Sequence, residues 1–386
     1  MRSLIGKTVQ RMLSQGMIGS ADDALFYGRD DEIVSNRPTV DADVRTLFDR
    51  LPVASLLFVT PAAPFGEILR SLGSAGQDRI EPRDGESALL LRDIPVVDPG
   101  DRDALLAALA RRKGCILRDG RIAARGTVSA DQAFVVASAI RFSAFVKRFL
   151  DFLSFAARNG RHPPFSPAES RRLRAILSTV PRPDPGILPP LPTGTDAEVD
   201  AAMDACGRKT VEAGLVDAFF GNISWCDGDR LAISQTGSFL DELPGHIDRI
   251  PLDGSSTAGI TASSETGAHL AICRETGRRA ILHGHPRFSV VLSMHCREAG
   301  CPGEESCGTT CPVPRWVDDV PIVPGETGAG RYALARTVPP AVRGRRGAIV
   351  HGHGVFCAGD SFPEALSSLA AIERLCLDRY RELAGD

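Results

Sequence analysis

The spacing of apolar residues divides the chain into predicted strands and helices. Short apolar runs bounded by glycine, proline or polar positions predict buried strands, at Val53–Val59, Ile94–Val97, Gly114–Leu117, Arg121–Ala124, Gly221–Trp225, Arg230–Ser234, Ala280–His283 and Ala348–Val350. Longer stretches with a period of three to four residues predict helices, at Ser3–Gln15, Arg45–Leu51, Phe65–Leu72, Asp101–Arg112, Ser129–Ala157, Ala197–Ala213 and Pro363–Leu383. The residues after the first helix are rich in Asp and Gly, and they predict polar connections.

A proline-rich segment separates two halves of the chain. At 386 residues the chain exceeds the size of one ordinary hydrophobic core, so two domains are expected. Prolines recur through residues 159–195 and predict extended backbone around one short helix, Ala168–Leu177. The predicted organisation is therefore a first domain over 1–158, a linker over 159–195 and a second domain over 196–386.

The two halves repeat the same order of elements. The matching segments are Ile94–Gly100 with Val320–Gly325, Gly114–Leu117 with Gly347–Val350, and Ser55–Pro61 with Ala280–Pro286. Agreement over most of a domain favours an internal duplication over chance similarity of strand–helix units. In this alignment Phe58 stands at the position of His283. Thr60 stands at the position of His285, so the first half lacks those histidines.

Composition and charge narrow the classes of partner. Hydrophobic residues make up 43% of the chain and charged residues 24%, with a formal net charge of -3. This balance argues against nucleic acid or an anionic membrane as the main partner. No stretch approaches the ~20 consecutive apolar residues of a membrane span, and Met1–Leu13 lacks the apolar core and cleavage site of a signal peptide. A cytoplasmic protein without a nucleic-acid or membrane partner is expected.

The ten cysteines form two groups. Six are scattered among apolar neighbours and are predicted to be small buried hydrophobes: Cys115, Cys206, Cys226, Cys273, Cys357 and Cys376. The others crowd into one loop, where metal or thiol chemistry is favoured over disulfides: Cys296, Cys301, Cys307 and Cys311. Because no Cys-x-x-Cys pair is present, a structural zinc, an iron–sulfur cluster, a redox disulfide and unligated thiols all stay open. The loop is a candidate second metal or redox site.

The stretch Ala280–Pro286 carries the main candidate chemistry. Its apolar run delivers His283 and His285 in i, i+2 positions, and alternate side chains of a strand share one face. A second His-x-His motif, His351–His353, offers a third imidazole, and the carboxylate of Glu265 lies upstream. Three neutral imidazoles with an open coordination position are typical of a catalytic zinc rather than a structural zinc.

Five blocks of the second half together resemble the class II aldolase/adducin family, which includes the zinc-dependent fuculose- and rhamnulose-phosphate aldolases. The blocks are Gly221–Ser224, Ile233–Gly237, Ser263–Glu265 with His269, His283–Pro286, and His353–Gly354 ahead of a helix that contains Glu364–Ala365. Their order and spacing follow the family pattern from about residue 197 to residue 386. The resemblance implies an α/β fold, an αβα domain with a central, mainly antiparallel sheet flanked by helices. This domain would be present twice, with the N-terminal copy degenerate and without metal ligands.

The resemblance also implies roles for individual residues. His283, His285 and His353 become the ligands of a divalent metal, Zn²⁺ first, although imidazole sites also accept Mn, Fe, Co and Ni. Glu265 becomes the acid/base. The pocket for substrate or phosphate is implied for Asn222, Thr236, Gly237, Ser263 and Ser264. His269 lies four residues after Glu265 on a predicted helix, so it either orients that carboxylate or packs, and packing is favoured.

The predicted function is that of a metal-dependent lyase, an aldolase. It would cleave or form a C–C bond beside a carbonyl in a small, anionic, hydroxylated phospho-sugar or hydroxyacid, through a zinc-bound enediolate. A dehydratase, epimerase or decarboxylase of the same family is the alternative. A non-catalytic adducin-like binding module is disfavoured because the histidines and the glutamate are all present.

The resemblance also implies an oligomeric assembly. Family aldolases are ring tetramers, so a homo-oligomer is expected. The expected form is a dimer that makes a pseudo-tetrameric ring, with the N-terminal copy facing the site.

Two positions depart from the family pattern in ways that bear on the chemistry. Cys273 stands where the family commonly has tyrosine. The C-terminal tyrosine of the aldolases has no counterpart after Tyr380, so the distal proton donor is unassigned.

Overall fold

The computed structural model describes residues 1–157, 165–253, 255, 260–296, 308, 311, 313–326 and 328–385. Contacts within the chain divide it into two compact units, Met1–Arg148 and Phe149–Asp386, called unit 1 and unit 2 below. The sequence places the division in the proline-rich segment, whereas the contact boundary falls inside a long helix. None of the described helices is long and apolar enough to cross a membrane.

Unit 1 is an α/β unit that contains every strand predicted from its sequence. Its helices are α1 (Arg2–Ser14), α2 (Ala42–Arg50), α3 (Phe65–Gly73), α4 (Gly85–Leu91), α5 (Arg102–Arg111) and α6 (Ala130–Ala157), which continues into unit 2. Its strands are β1 (Ala24–Arg29), β2 (Ile33–Ser35), β3 (Ser55–Val59), β4 (Arg79–Ile80), β5 (Ile94–Val97), β6 (Gly114–Leu117) and β7 (Ile122–Gly126). The prediction of polar connections after the first helix was wrong at β1. Phe26 and Tyr27 are buried there, and β1 pairs with β3.

Unit 2 is a second α/β unit. Its further helices are α7 (Pro167–Thr179), α8 (Asp196–Glu212), α9 (Thr266–Thr276), α10 (Arg287–Met294), α11 (Leu334–Val342) and α12 (Phe362–Ala384). Its strands are β8 (Asn222–Asp227), β9 (Arg230–Ser234), β10 (Ile247–Pro251), β11 (Ala280–Gly284), β12 (Arg315–Val317), β13 (Val320–Val323), β14 (Gly347–Val350) and β15 (Gly354–Gly359). Ser361 caps α12, because its side chain accepts the Glu364 backbone N–H.

The two sheets share one strand order. Among the described residues, unit 1 has a seven-stranded sheet in the order β2-β1-β3-β7-β6-β5-β4, and unit 2 has eight strands in the order β10-β9-β8-β11-β15-β14-β13-β12. Without the edge strand β10, each position of one sheet has a counterpart in the other. Each sheet is mainly antiparallel, with one parallel pair, β5 with β6 and β13 with β14. These are the mixed sheets of an α/β fold.

Strand pairing assigns the equivalent positions at single-residue resolution. In unit 2, His283 pairs with Phe356 of β15, and Phe356 pairs with Ala348 of β14. In unit 1, Phe58 pairs with Ala123 of β7, which pairs with Cys115 of β6. Because Ala348 and Cys115 are each the second residue of their strands, Phe58 occupies the sheet position of His283.

The described part of the proline-rich segment lies against α12. Arg182 forms an ion pair with Asp378 at 2.7 Å, and Arg374 donates to the Pro183 carbonyl at 2.9 Å. Arg381 donates to the carbonyl of Val180 at 3.2 Å. An extended proline-rich backbone has no ladder of its own, so arginine side chains supply its hydrogen bonds. These contacts place the segment within unit 2.

A disulfide corrects the prediction for two of the six scattered cysteines. Cys226 of β8 and Cys273 of α9 are bonded, whereas the sequence predicts separate buried thiols. The other four are buried and unbonded, as expected: Cys115, Cys206, Cys357 and Cys376. The local sequence carries no signal for the bond, because the two cysteines are 47 positions apart and meet only when α9 packs on β8.

Each sheet has a glycine at the equivalent position, Gly114 in β6 and Gly347 in β14, and both test the close packing of the paired strands. A Cβ on Gly114 would lie 2.8 Å from the Ala123 carbonyl oxygen, and one on Gly347 would lie 2.6 Å from the Phe356 carbonyl oxygen. Backbone atoms of a central strand cannot shift without a large cost in free energy. We therefore expect Gly114→Ala and Gly347→Ala each to destabilise the protein by about 1–3 kcal/mol, measured by denaturant unfolding.

A third glycine provides the matched control. Gly6 lies in α1, and a Cβ added there would have no atom within 4 Å. Gly6→Ala should therefore be neutral or stabilise the protein by about 0.5–1 kcal/mol. Equal effects at all three glycines would contradict the close approach of the paired strands.

Candidate metal centre

The central strand β11 delivers two histidines to a buried site. All of its residues from Ala280 to Gly284 are buried between β8 and β15. The strand ends at Gly284, and the next backbone N–H, that of His285, donates to the Leu215 carbonyl at 3.1 Å. His283 is 1% exposed and His285 is 5% exposed. The structure therefore places both imidazoles in the interior at the end of one strand.

The turn between β14 and β15 supplies a third imidazole. Gly352 adopts φ +61° in this turn, and His353 is 8% exposed. A Cβ on the next residue, Gly354, would lie 2.8 Å from both the His283 and the His285 ring. Only glycine fits there, because any side chain would push the rings apart.

The three histidines converge on one point. Ligating atoms of His283, His285 and His353 all lie within 4.8 Å of one another, and the Nε2 atoms of His283 and His285 are 2.8 Å apart. The Nδ1 atom of His283 lies 3.0 Å from the Val355 carbonyl oxygen. A carbonyl only accepts, so Nδ1 carries the proton and Nε2 is bare. A ring held by its Nδ1–H with Nε2 free is the usual state of a metal-binding histidine, so these residues fit a divalent cation.

Burial keeps these ligands neutral. Loss of solvent lowers the pKa of His283 to about 4 and lowers the pKa of His285 well below 6.5. The nearby Glu265 carboxylate acts in the opposite direction on both rings but does not overcome burial. The second proton that would make these two rings cations is therefore absent near pH 7.

The carboxylate of Glu265 lies at the edge of the triad. Glu265 precedes α9, and its Oε1 lies 2.9 Å from His353 Nε2 while its Oε2 lies 3.4 Å from His283 Nε2. The Asn222 side-chain amide donates to Oε2 at 2.7 Å. Burial alone would raise the pKa of Glu265, but electrostatic attraction to His283 and His353 and these hydrogen bonds hold it well below its usual value. The group is an ionised acceptor.

Two polar anchors support the segments around His285. The Arg287 guanidinium pairs with Asp217 at 2.6 Å, which ties α10 to the segment that contains Phe220, and the Phe220 ring stacks on His285 with centroids 5.9 Å apart. At the start of α10, Glu373 accepts the backbone N–H groups of Phe288 and Ser289, each at 2.8 Å. Sequence reasoning missed both anchors, and no local signal marks them, because their partners are far apart along the chain.

The residues predicted for an anion pocket fall into two environments. Thr236, Gly237 and Ser264 are exposed, and a bridge between Gln235 and Ala262 brings their two segments side by side. Two members of the predicted set are buried instead and hold Glu265. Asn222 contacts its carboxylate, and the Ser263 hydroxyl accepts its backbone N–H at 3.3 Å.

The four-cysteine loop is described only in part. Cys296 is exposed and Cys311 is half-buried, while Cys301 and Cys307 lie outside the described residues. The second metal or redox site therefore stays a prediction. His351 is outside the triad, although burial lowers its pKa to about 4.

Buried neutral imidazoles predict a pH dependence of stability. The folded-state pKa values of His283, about 4, and His269, about 3, lie below the ordinary value of 6.5. The unfolded chain therefore binds protons that the native protein does not. We expect the free energy of unfolding of the metal-free protein to fall as the pH drops from about 6.5 to 4. Urea unfolding at stepped pH measures this decline.

Substitutions separate this effect from general acid denaturation. His283→Gln should flatten the decline, whereas His246→Gln, at an exposed histidine, should leave it unchanged. A wild-type stability that does not change across this window would contradict the buried, neutral state.

Known proteins are similar to about half of this chain. The methylthioribulose-1-phosphate dehydratase of Gluconacetobacter diazotrophicus is 31% identical over 202 residues, which cover 47% of this chain and 93% of that protein. The 3-oxo-tetronate 4-phosphate decarboxylase of Escherichia coli is 29% identical over 179 residues, covering 44% of this chain and 81% of that protein. Among solved structures, the L-fuculose-1-phosphate aldolase of Thermus thermophilus shows 28% identity over 48% of this chain and 93% of its own, with a TM-score of 0.38.

The family model gives the same assignment. The model described as Class II Aldolase and Adducin N-terminal domain matches residues 201–379. That range contains the three histidines, Glu265 and every described strand of the unit 2 sheet. The resemblance predicted from the five sequence blocks is confirmed: the chain belongs to the class II aldolase/adducin family.

Proposed function

We propose that unit 2 is a metal-dependent lyase that acts beside the carbonyl of a small phosphorylated keto sugar or hydroxyacid. The observation that carries this proposal is the position of the Glu265 carboxylate, 2.9 Å from His353 Nε2 and 3.4 Å from His283 Nε2. An ionised carboxylate against a cluster of imidazole nitrogens is an acid/base group beside a cation site.

The chain's own residues have separate tasks in this mechanism. His283, His285 and His353 would hold a divalent cation, Zn²⁺ first, which when bound supplies Lewis-acid stabilisation of negative charge on the carbonyl oxygen. Glu265 exchanges a proton between its carboxylate and the carbon next to that carbonyl. Glu265 is 7% exposed, so little water reaches the proton before it returns.

The substrate class follows from chemistry that the two relatives share. By their names, they act on methylthioribulose 1-phosphate and on 3-oxo-tetronate 4-phosphate, and each compound has a phosphate ester and a carbonyl. For this chain we assign the anion to the exposed members of the predicted pocket, Thr236, Gly237 and Ser264, through their hydroxyl and backbone N–H groups. Asn222 and Ser263 hold Glu265 instead.

Two reactions fit proton transfer at this carbon. C–C cleavage, as in an aldolase, is the first candidate, since it matches the sequence-based prediction. Loss of water is the second candidate, favoured by the dehydratase that is 31% identical. Mass spectrometry of the products from these two phosphates and from L-fuculose 1-phosphate separates them, because cleavage gives two fragments and dehydration gives one product lighter by one water.

We also propose that unit 1 is a duplicated copy without metal chemistry. The equal strand orders and the pairing register support this. Phe58 at the position of His283 carries no ligand atom, and Thr60 stands where His285 stands in unit 2.

Metal analysis tests the triad. We expect the wild-type protein to hold about one divalent cation per chain and His353→Ala to hold less than about a tenth of that, because one of three imidazole donors is lost. His351→Ala is the matched control, two positions away and outside the triad, and should keep its metal. The reverse pattern would contradict the ligand assignment, and wild-type turnover that survives complete chelation would contradict the mechanism.

The nearly isosteric change Glu265→Gln tests the acid/base role. It keeps the volume but cannot take up a proton, so kcat should fall by about 10²–10⁴-fold while metal content is retained. Turnover and metal content of the same preparation provide the measurement. A variant that retains both metal and wild-type kcat would assign the proton transfer to another residue.

A further inference from the structure

A chain of buried polar side chains ends on the acid/base carboxylate. The Ser224 hydroxyl lies 2.7 Å from His269 Nδ1, and His269 Nε2 lies 2.5 Å from Asn222 Oδ1. The Asn222 Nδ2 group lies 2.7 Å from Glu265 Oε2. Ser224 and His269 are 0% exposed, so no solvent can replace a missing partner.

The direction of every hydrogen bond in this chain follows by elimination. The Asn222 Nδ2 group faces Glu265 Oε2, and an amide nitrogen only donates, so Glu265 accepts this hydrogen bond. The Asn222 oxygen then faces His269 Nε2, which must carry a proton. A neutral imidazole has one N–H, so Nδ1 is bare and accepts from the Ser224 hydroxyl.

The neutral state of His269 is a property of its surroundings. Burial lowers its pKa to about 3, and the opposing effect of the Glu265 charge is smaller. The ring packs edge-on against Phe356 with centroids 5.8 Å apart, on the apolar side of the site. The imidazole is therefore neutral and carries a single N–H, as the chain of hydrogen bonds requires.

We propose that His269 is a positioning residue for Glu265. By donating to Asn222 Oδ1, it holds the Asn222 carboxamide in the one orientation that directs an N–H at Glu265 Oε2, and this fixes the carboxylate beside the triad. Ser224 donates to the bare Nδ1 of His269 and so satisfies the ring nitrogen that carries no proton. The kinetic consequence rests on the proposed function, whereas the orientation of the carboxamide does not.

If His269 only filled space, nothing would fix the orientation of the Asn222 carboxamide. Without the His269 donor, the carboxamide can turn over and place Oδ1 against the Glu265 carboxylate, where two acceptors repel. The carboxylate then has several positions next to His353 instead of one. Residues that hydrogen-bond to the groups around a metal site, without contacting the metal, typically lower activity by about 10–100-fold when they are substituted.

The kinetic test compares three variants of the full-length, metal-loaded protein. His269→Leu fills the space without a donor, and kcat should fall about 10–100-fold with KM within about threefold. His269→Gln keeps a side-chain N–H and should restore kcat to within about fivefold of wild type. Ile272→Val, a fully buried position on the same helix, is the packing control and should lower Tm without changing kcat. Equal kcat for wild type and His269→Leu would overturn the proposal.

A second measurement needs no turnover. ¹⁵N NMR of the metal-free full-length protein should show His269 with Nε2 protonated and Nδ1 unprotonated. The Asn222 side-chain amide, assigned by its loss in Asn222→Asp, should give sharp, slowly exchanging signals in wild type and His269→Gln. It should broaden or exchange rapidly in His269→Leu. An Nδ1–H tautomer, or an amide unchanged in His269→Leu, would refute the proposal.

These results separate the two proposals. If wild type turns over none of the phosphorylated substrates, the proposed function fails and the NMR result alone decides the positioning role. If wild type and His269→Leu turn over equally well, the function stands and the positioning role is rejected.

Discussion

The candidate metal centre depends on the exclusion of water from a cluster of polar groups. His283, His285, His353 and Glu265 are each at most 8% exposed, so every lone pair and N–H among them needs a partner inside the protein. The Val355 carbonyl fixes the proton of His283 on Nδ1, and that leaves Nε2 bare. Burial thus keeps the His283 and His285 rings neutral, which is the state that a divalent cation requires of an imidazole ligand.

The strand β8 and the segment from Glu265 through helix α9 are joined by three linked pairs, which hold the Glu265 carboxylate. Asn222 contacts Glu265, Ser224 contacts His269, and Cys226 is bonded to Cys273. These pairs follow i, i+2, i+4 along the strand and i, i+4, i+8 along the helix. Two strand residues advance about 6.6 Å and four helical residues about 6 Å, so the two periodicities match over this distance. The disulfide lies at the far end of the same face that positions Glu265.

The sheet can form without the histidine of β11. Unit 1 repeats the strand order of unit 2 with Phe58 where unit 2 has His283. Both frames use a glycine at the start of the equivalent strand, Gly114 or Gly347, where a carbonyl oxygen and an isoleucine side chain leave no room for Cβ. Close packing between strands thus maintains the fold in both units. His283 stands at a position where the same packing also accepts phenylalanine.

The sequence by itself determined eight of the fifteen described strands, most helices, the family, and the pair His283 and His285, because these features lie in local periodicity and short motifs. It did not find β1, whose apolar residues were masked by the polar residues around them, or the Cys226–Cys273 bond. It also favoured packing for His269. Only the tertiary structure brought Ser224, His269, Asn222 and Glu265 into one hydrogen-bonded chain. Such contacts join residues more than forty positions apart, and strand-to-helix packing, not local sequence, decides which of them meet.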